Sequence, residues 1–99
     1  MLTSKQRADL RSLANPLDTI QQIGKDGITE AVVQQVQEAL TARELIKLKV
    51  LETSFMSARE ASEALCEALE AEPVQCIGSK LVIYKANPKK ADAIKLPKA

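Results

Sequence analysis

The sequence predicts an α/β fold, a compact single domain in the order helix, strand, helix, strand, helix, strand, strand, with a mixed four-stranded sheet. Three observations carry this. Three segments space their apolar residues at helical intervals, and each opens on a Thr or Ser suited to capping a helix. Short strand-like runs at Thr19–Ile23 and Ile46–Val50 lie between these segments. Two further apolar runs near the end of the chain are divided by Gly78-Ser79, a two-residue hairpin signal of the kind that wants Gly first.

The elements follow in order. Thr3 followed by Gln6 has the spacing of a capping box. Gln6, Leu10, Leu13 and Ala14 then share one helical face until Asn15-Pro16 stops it, so the first helix spans Ser4–Ala14. Arg7 and Arg11, one turn apart, emerge together on the flank of that stripe. Thr19–Ile23 is a short strand, and Thr29 caps a second helix running to about Ala42, with Val32, Val36 and Leu40 as its buried stripe. Ile46, Leu48 and Val50 alternate with Lys47 and Lys49, which predicts a strand with one face in the core and one in water. A strand, a crossover helix and a second strand imply parallel pairing through a right-handed connection.

Ser57 with Glu60 forms another capping-box spacing and opens a third helix to about Leu69. Ala61, Leu65, Ala68 and Leu69 face inward, and Glu63, Glu67 and Glu70 face outward. Val74–Ile77 and Leu81–Tyr84 form the hairpin. The domain is assigned to residues 1–86. Residues 87–99, rich in Lys, Ala and Pro without a sustained period, read as a basic, mobile or extended tail.

A chain of 99 residues can bury one core but no large enclosed cavity. The start shows no basic segment followed by an apolar run, and nothing approaches the roughly 18 consecutive apolar residues of a membrane span. The expectation is a cytoplasmic protein with no membrane partner, monomeric because no apolar stripe is left over. There is no histidine, and two cysteines, Cys66 and Cys76, stand ten positions apart. A zinc site or a Cys/His nucleophile pair cannot be assembled from that set, so both cysteines read as small buried core residues. With no paired carboxylates off a helix surface either, no catalytic residue, metal, cofactor or small-molecule substrate is expected, and the chain does not read as an enzyme.

The formal net charge of +1 hides a segregation. Residues 52–79 carry one arginine against six glutamates, a local net of −5, whereas residues 80–99 carry six lysines against one aspartate, a local net of +5. A near-neutral protein can therefore still present a basic face.

The segment Gln22-Ile23-Gly24-Lys25-Asp26-Gly27 ends a strand in a Gly-x-x-Gly loop that opens directly into a helix. Glycines let a phosphodiester approach the backbone, and the N–H groups at a helix start favour an anion there. The loop lacks the Gly-Lys-Ser/Thr of a nucleotide-triphosphate site and the third glycine of a dinucleotide site. Nucleic-acid backbone remains, as in KH modules, which clamp it with a loop of the same local design.

That loop belongs to a larger pattern. Leu2-Thr3-Ser4-Lys5-Gln6-Arg7, Leu10-Arg11-Ser12-Leu13-Ala14, the loop itself, Arg43 to Val50 and Val74 to Tyr84 resemble, in order and spacing, the YhbY-like RNA-binding proteins, which share the chloroplast RNA splicing and ribosome maturation domain. The resemblance covers roughly residues 2–85. It implies an α/β fold similar to the C-terminal domain of translation initiation factor three. It also implies ribosomal RNA in a precursor of the large subunit as partner, and assistance in assembling that subunit as role. Gly24, Lys25 and Gly27 match the family loop, and Lys5, Arg7 and Arg11 match its basic first helix. Lys47, Lys49, Lys80 and Lys85 are added from strand polarity and charge position. The chain departs from the family at Asn15 and Arg43, where members often carry His, and at Asp26, a carboxylate inside the loop. Asp26 is expected to point away from RNA and to stabilise the turn through its own backbone.

Phe55 and Tyr84 are the only aromatic residues, too few for the stacking platform of an RNA-recognition motif or OB-fold. Recognition of phosphates and RNA shape is therefore expected. Phe55, beside Met56, reads as a core or loop anchor, and Tyr84 as packing or RNA contact. No helix carries a base-reading array suited to DNA. The rival reading from another class is a small protein-binding adaptor that uses its sheet edge or its acidic third helix.

Overall fold

A computed structural model describes residues 2–86; the tail assigned to 87–99 lies outside the described residues. Helix α1 spans Ser4–Ala14, α2 Glu30–Arg43 and α3 Ala58–Leu69; strand β1 spans Thr19–Ile23, β2 Leu45–Val50, β3 Glu72–Ile77 and β4 Lys80–Tyr84. Each helix starts at the hydroxyl that the sequence singles out. The Thr3 Oγ1 accepts from the Gln6 N–H at 3.1 Å while the Thr3 N–H donates to Gln6 Oε1 at 3.1 Å, and Ser57 and Glu60 repeat the box on α3. Thr29 caps α2 by accepting from the Val32 N–H at 3.2 Å. These bonds satisfy amides that a helix start otherwise leaves unpaired.

The sheet order is β1-β2-β4-β3, with β1 parallel to β2 and β4 antiparallel to both β2 and β3. Thus β1, β2 and β3 all run one way. Their C-terminal ends lie together, and so do the starts of α2 and α3, which follow β1 and β2. Strand β3 begins two residues earlier than expected, at Glu72, because Pro73 is tolerated in an edge strand, where no outer partner needs its missing N–H.

The two faces of the sheet are covered unequally. Helices α2 and α3 close one face over the larger core, which includes Ile23, Val36, Leu40, Ile46, Leu48, Leu65, Leu81 and Ile83. On the other face, α1 lies over a smaller cluster of Leu10, Ala14, Leu45, Val74, Val82 and Tyr84. The lysine face of β2 is therefore not simply in water, and Lys47 and Lys49 are half-buried. Four other expectations are corrected. Leu13 is exposed, since only Leu10 and Ala14, one turn apart, meet the sheet, and Ala68 is exposed on the flank of α3. Cys76 is exposed on edge strand β3 and Cys66 only half-buried, so neither is a fully buried core residue. Phe55 is 95% exposed and anchors nothing.

Burial pushes the Cys66 thiol from an ordinary value of 9.0 up to about 11. The Tyr84 hydroxyl is raised too, by burial first and by the Glu44 carboxylate second. Above pH 9 the unfolded chain loses the Cys66 proton while the folded chain keeps it, so the unfolded state gains. Stability is expected to hold below pH 9 and to fall as pH rises toward 11, as chemical denaturation at stepped pH would record. In the native protein at pH 8, Cys76 should react promptly with a thiol reagent and Cys66 slowly; equal rates would contradict the burial of Cys66.

Candidate nucleic-acid interface

The Gly-x-x-Gly loop is a tight turn closed by the backbone itself. The Gly27 N–H donates to the Gly24 carbonyl at 3.0 Å, and Gly27 takes φ +67°, in the left-handed region that glycine enters without a Cβ penalty. The Leu51 N–H donates to the Ile23 carbonyl at 2.8 Å and ties the root of the turn to the β2–α3 loop. Lys25 and Asp26 are exposed at the tip. Thr29 caps only the Val32 amide, so the amides of Glu30 and Ala31 stay among the open donors of α2's first turn.

Beside the loop, register sets a row across all four strands on the α1 side of the sheet. Gln22 of β1 lies opposite Lys49 of β2, Lys49 opposite Lys80 of β4, and Lys80 opposite Ile77 of β3. Helix α1 covers the far half of this face and leaves the near half open, where Lys80 is exposed and Ile77 is 63% exposed. Like charges directly opposite on neighbouring strands destabilise a sheet. Among the described residues neither Lys49 nor Lys80 has a carboxylate partner. Two ammonium groups placed this way can share one anion between them.

Other candidate cations are engaged elsewhere. The Lys85 ammonium donates to the Leu69 carbonyl at 2.7 Å, at the negative end of α3. The Lys47 ammonium reaches the Asn15 carbonyl, at the end of α1, at 3.5 Å. The Arg7 guanidinium donates to the Pro73 carbonyl at 3.3 Å, at the start of β3 and so at the end of the sheet away from the loop. Lys5 and Arg11 are exposed on α1. The structure thus gathers Gly24, Lys25, Asp26, Gly27, Lys49 and Lys80 at one end, with Lys47 close by, and leaves Lys5, Arg7 and Lys85 away from them. Glu63, Glu67 and Glu70 are exposed on α3, which lies across the sheet from α1.

Tyr84 is buried in the smaller core and takes the packing role. Phe55 instead projects from the β2–α3 loop beside the Gly-x-x-Gly turn. The signal that could have found it is the hydrophobic-staple position. Met56, immediately before the Ser57 cap, packs against the core cluster that holds Ala61, so the inward place is taken and Phe55 faces out. Among the described residues no group of three or more His, Cys, Asp or Glu is placed to hold a metal, and no helix is long and apolar enough to cross a membrane.

Fold and site together define a small α/β module that presents backbone amides and lysines at the C-terminal end of its sheet. The CRS1 / YhbY (CRM) domain matches residues 2–85, and the chain belongs to that family. It is 42% identical over 97 residues to the probable RNA-binding protein YqeI of Bacillus subtilis, covering 98% of this chain and 100% of that protein. An RNA-binding protein of Haemophilus influenzae is 34% identical over 97 residues, covering 98% and 96%. The solution structure of SAV1595 from Staphylococcus aureus superposes with a TM-score of 0.80 at 48% identity, covering 98% of this chain and 100% of that one.

Proposed function

We propose that this chain binds structured RNA, contacting the phosphate backbone through the Gly24–Gly27 loop and the adjoining Lys49 and Lys80 surface. Its partner is ribosomal RNA of a large-subunit precursor, and its role is to assist assembly of that subunit. The observation that carries this reading is the unpaired lysine row beside a loop that opens amides toward an anion. The names of the relatives support RNA as the partner, and the family resemblance supports the ribosomal setting.

Salt tests it. If Lys25, Lys49 and Lys80 each hold one phosphate, per-contact slopes of about 0.7 to 0.9 give a loss of roughly 20- to 40-fold in affinity for purified large-subunit precursor RNA between 50 and 200 mM salt. Binding that ignores salt, or no binding, overturns the reading and favours a protein partner. Cosedimentation with precursor particles, but not with mature large subunits, checks the assembly role. Asp26→Asn removes a negative charge from the loop tip and should leave affinity unchanged or slightly tighter in the same assay. A large loss would mean that the carboxylate contributes to binding.

A further inference from the structure

The geometry points to Phe55 as a stacking platform for one unpaired RNA base, seated beside the loop that holds a neighbouring phosphate. This inference rests on the RNA-binding reading above and deepens it. The partner must offer a loop, bulge or free end at this spot instead of uninterrupted duplex, because a base within a helix has its faces already covered.

Three observations lead there. The first is exposure. Phe55, at 95%, presents its ring fully to solvent and far exceeds the other exposed large apolar residues, Leu13 at 44% and Ile77 at 63%. The second is that its position is held. The Ser54 N–H donates to the Leu51 carbonyl at 3.0 Å, the Met56 N–H donates to the Ser54 Oγ at 3.2 Å, and Met56 packs on the core. Ordered residues thus flank Phe55 on both sides. The third is proximity. Met56 Sδ lies 3.4 Å from where a Cβ on Gly27 would sit, and Leu51 Cδ1 lies 3.8 Å from the corresponding point on Gly24, so the Phe55 loop and the phosphate loop are braced against each other. An aromatic face beside a phosphate-facing turn is the pairing by which unpaired nucleotides are held, the turn taking the backbone and the ring taking the base.

The chain contains no tryptophan, so Phe55→Trp places a single indole at the site. Wild type, Phe55→Ala and Phe55→Trp are titrated by fluorescence anisotropy against two RNAs, a hairpin with an unpaired loop and a blunt duplex of matched length, across the salt series. Because the ring buries almost nothing, both variants should fold as wild type does, which circular dichroism checks. Stacking predicts that Phe55→Ala weakens hairpin binding by at least roughly fivefold with the salt slope unchanged, and leaves duplex binding alone. It also predicts that Phe55→Trp retains affinity and that its emission is quenched by the hairpin. Wild-type affinity for the hairpin in Phe55→Ala, an equal loss on both RNAs, or an indole that does not respond would each overturn the inference while the RNA-binding reading stands. Failure of the wild type to bind either RNA would overturn both.

Discussion

Combining Lys25→Ala with Gly27→Asp is expected to weaken RNA binding about 100-fold at 0.1 M salt while the protein stays folded. The first change removes a cation at the loop tip, and the second sets a carboxylate where a phosphate approaches the backbone. Each alters a charge interaction at about 4 to 6 Å, worth on the order of 1 to 2 kcal/mol between the water and protein-surface limits. The sum approaches a factor of 100, since about 1.4 kcal/mol is tenfold. Aspartate is chosen because Asp and Asn enter the left-handed region more readily than other side chains, and Gly27 sits there at φ +67°. The new Cβ meets Met56 Sδ at 3.4 Å, an ordinary contact with a flexible side chain. The strain costs about 1 to 2 kcal/mol, which a domain of ordinary stability tolerates. Filter binding over the salt series, with thermal melts of each variant, provides the check. Lys25→Ala alone should lower the salt slope by about 0.7 to 0.9. Undiminished binding by a folded double variant would move the site off the loop.

What the sequence revealed and what it hid divide along sequence distance. The helix starts were legible because a cap is a local event: Thr3 and Gln6, or Ser57 and Glu60, stand three residues apart and satisfy each other whatever the rest of the chain does. The docking of α1 was not legible. The alternation in β2 says only that Lys47 and Lys49 share a side. That α1 covers half of that side depends on Val74, Val82 and Tyr84, which arrive from strands far along the chain. The candidate cations sort in the same way. Lys85 looked available because its partner, the Leu69 carbonyl, lies 16 residues back at the end of another element. Lys49 and Lys80 became a pair only through the β2–β4 register. Phe55 and Met56 are both apolar, so composition does not separate them; only the place of Met56 immediately before the Ser57 cap marks it as the one that turns inward.

The strand order has a consequence for where binding can occur. With β1, β2 and β3 co-directional, three connections converge at one end of the sheet: the Gly-x-x-Gly loop, the β2–α3 loop and the Gly78-Ser79 turn. The Val50 N–H donates to the Ser79 carbonyl at 2.7 Å, so the third is fastened to the second much as the second is fastened to the first. In open α/β sheets the carboxyl ends of the strands are the usual place for ligands, because loops there are set by a rigid scaffold. Here the scaffold is β2, which lies between β1 and β4 and contacts both cores.

Leu48→Ala is therefore expected to be among the most damaging single truncations, lowering stability by about 3 to 4 kcal/mol and the melting temperature by about 15 to 25 °C. Leu48 is fully buried in β2, with Gln21 opposite on β1 and Leu81 opposite on β4, so the surrounding backbone is held from both sides and cannot collapse into the cavity. Leu10→Ala removes the same number of atoms from the smaller core, where α1 rests on one face only and can settle toward the sheet. Its cost should lie nearer 2 to 3 kcal/mol. Urea titrations of the two variants give the comparison. Equal losses would mean that α1 is held as rigidly as the central strand. A larger loss at Leu48 would locate the stability in the β2 scaffold, and RNA affinity measured at low temperature should then remain near wild type in whatever fraction of Leu48→Ala is folded.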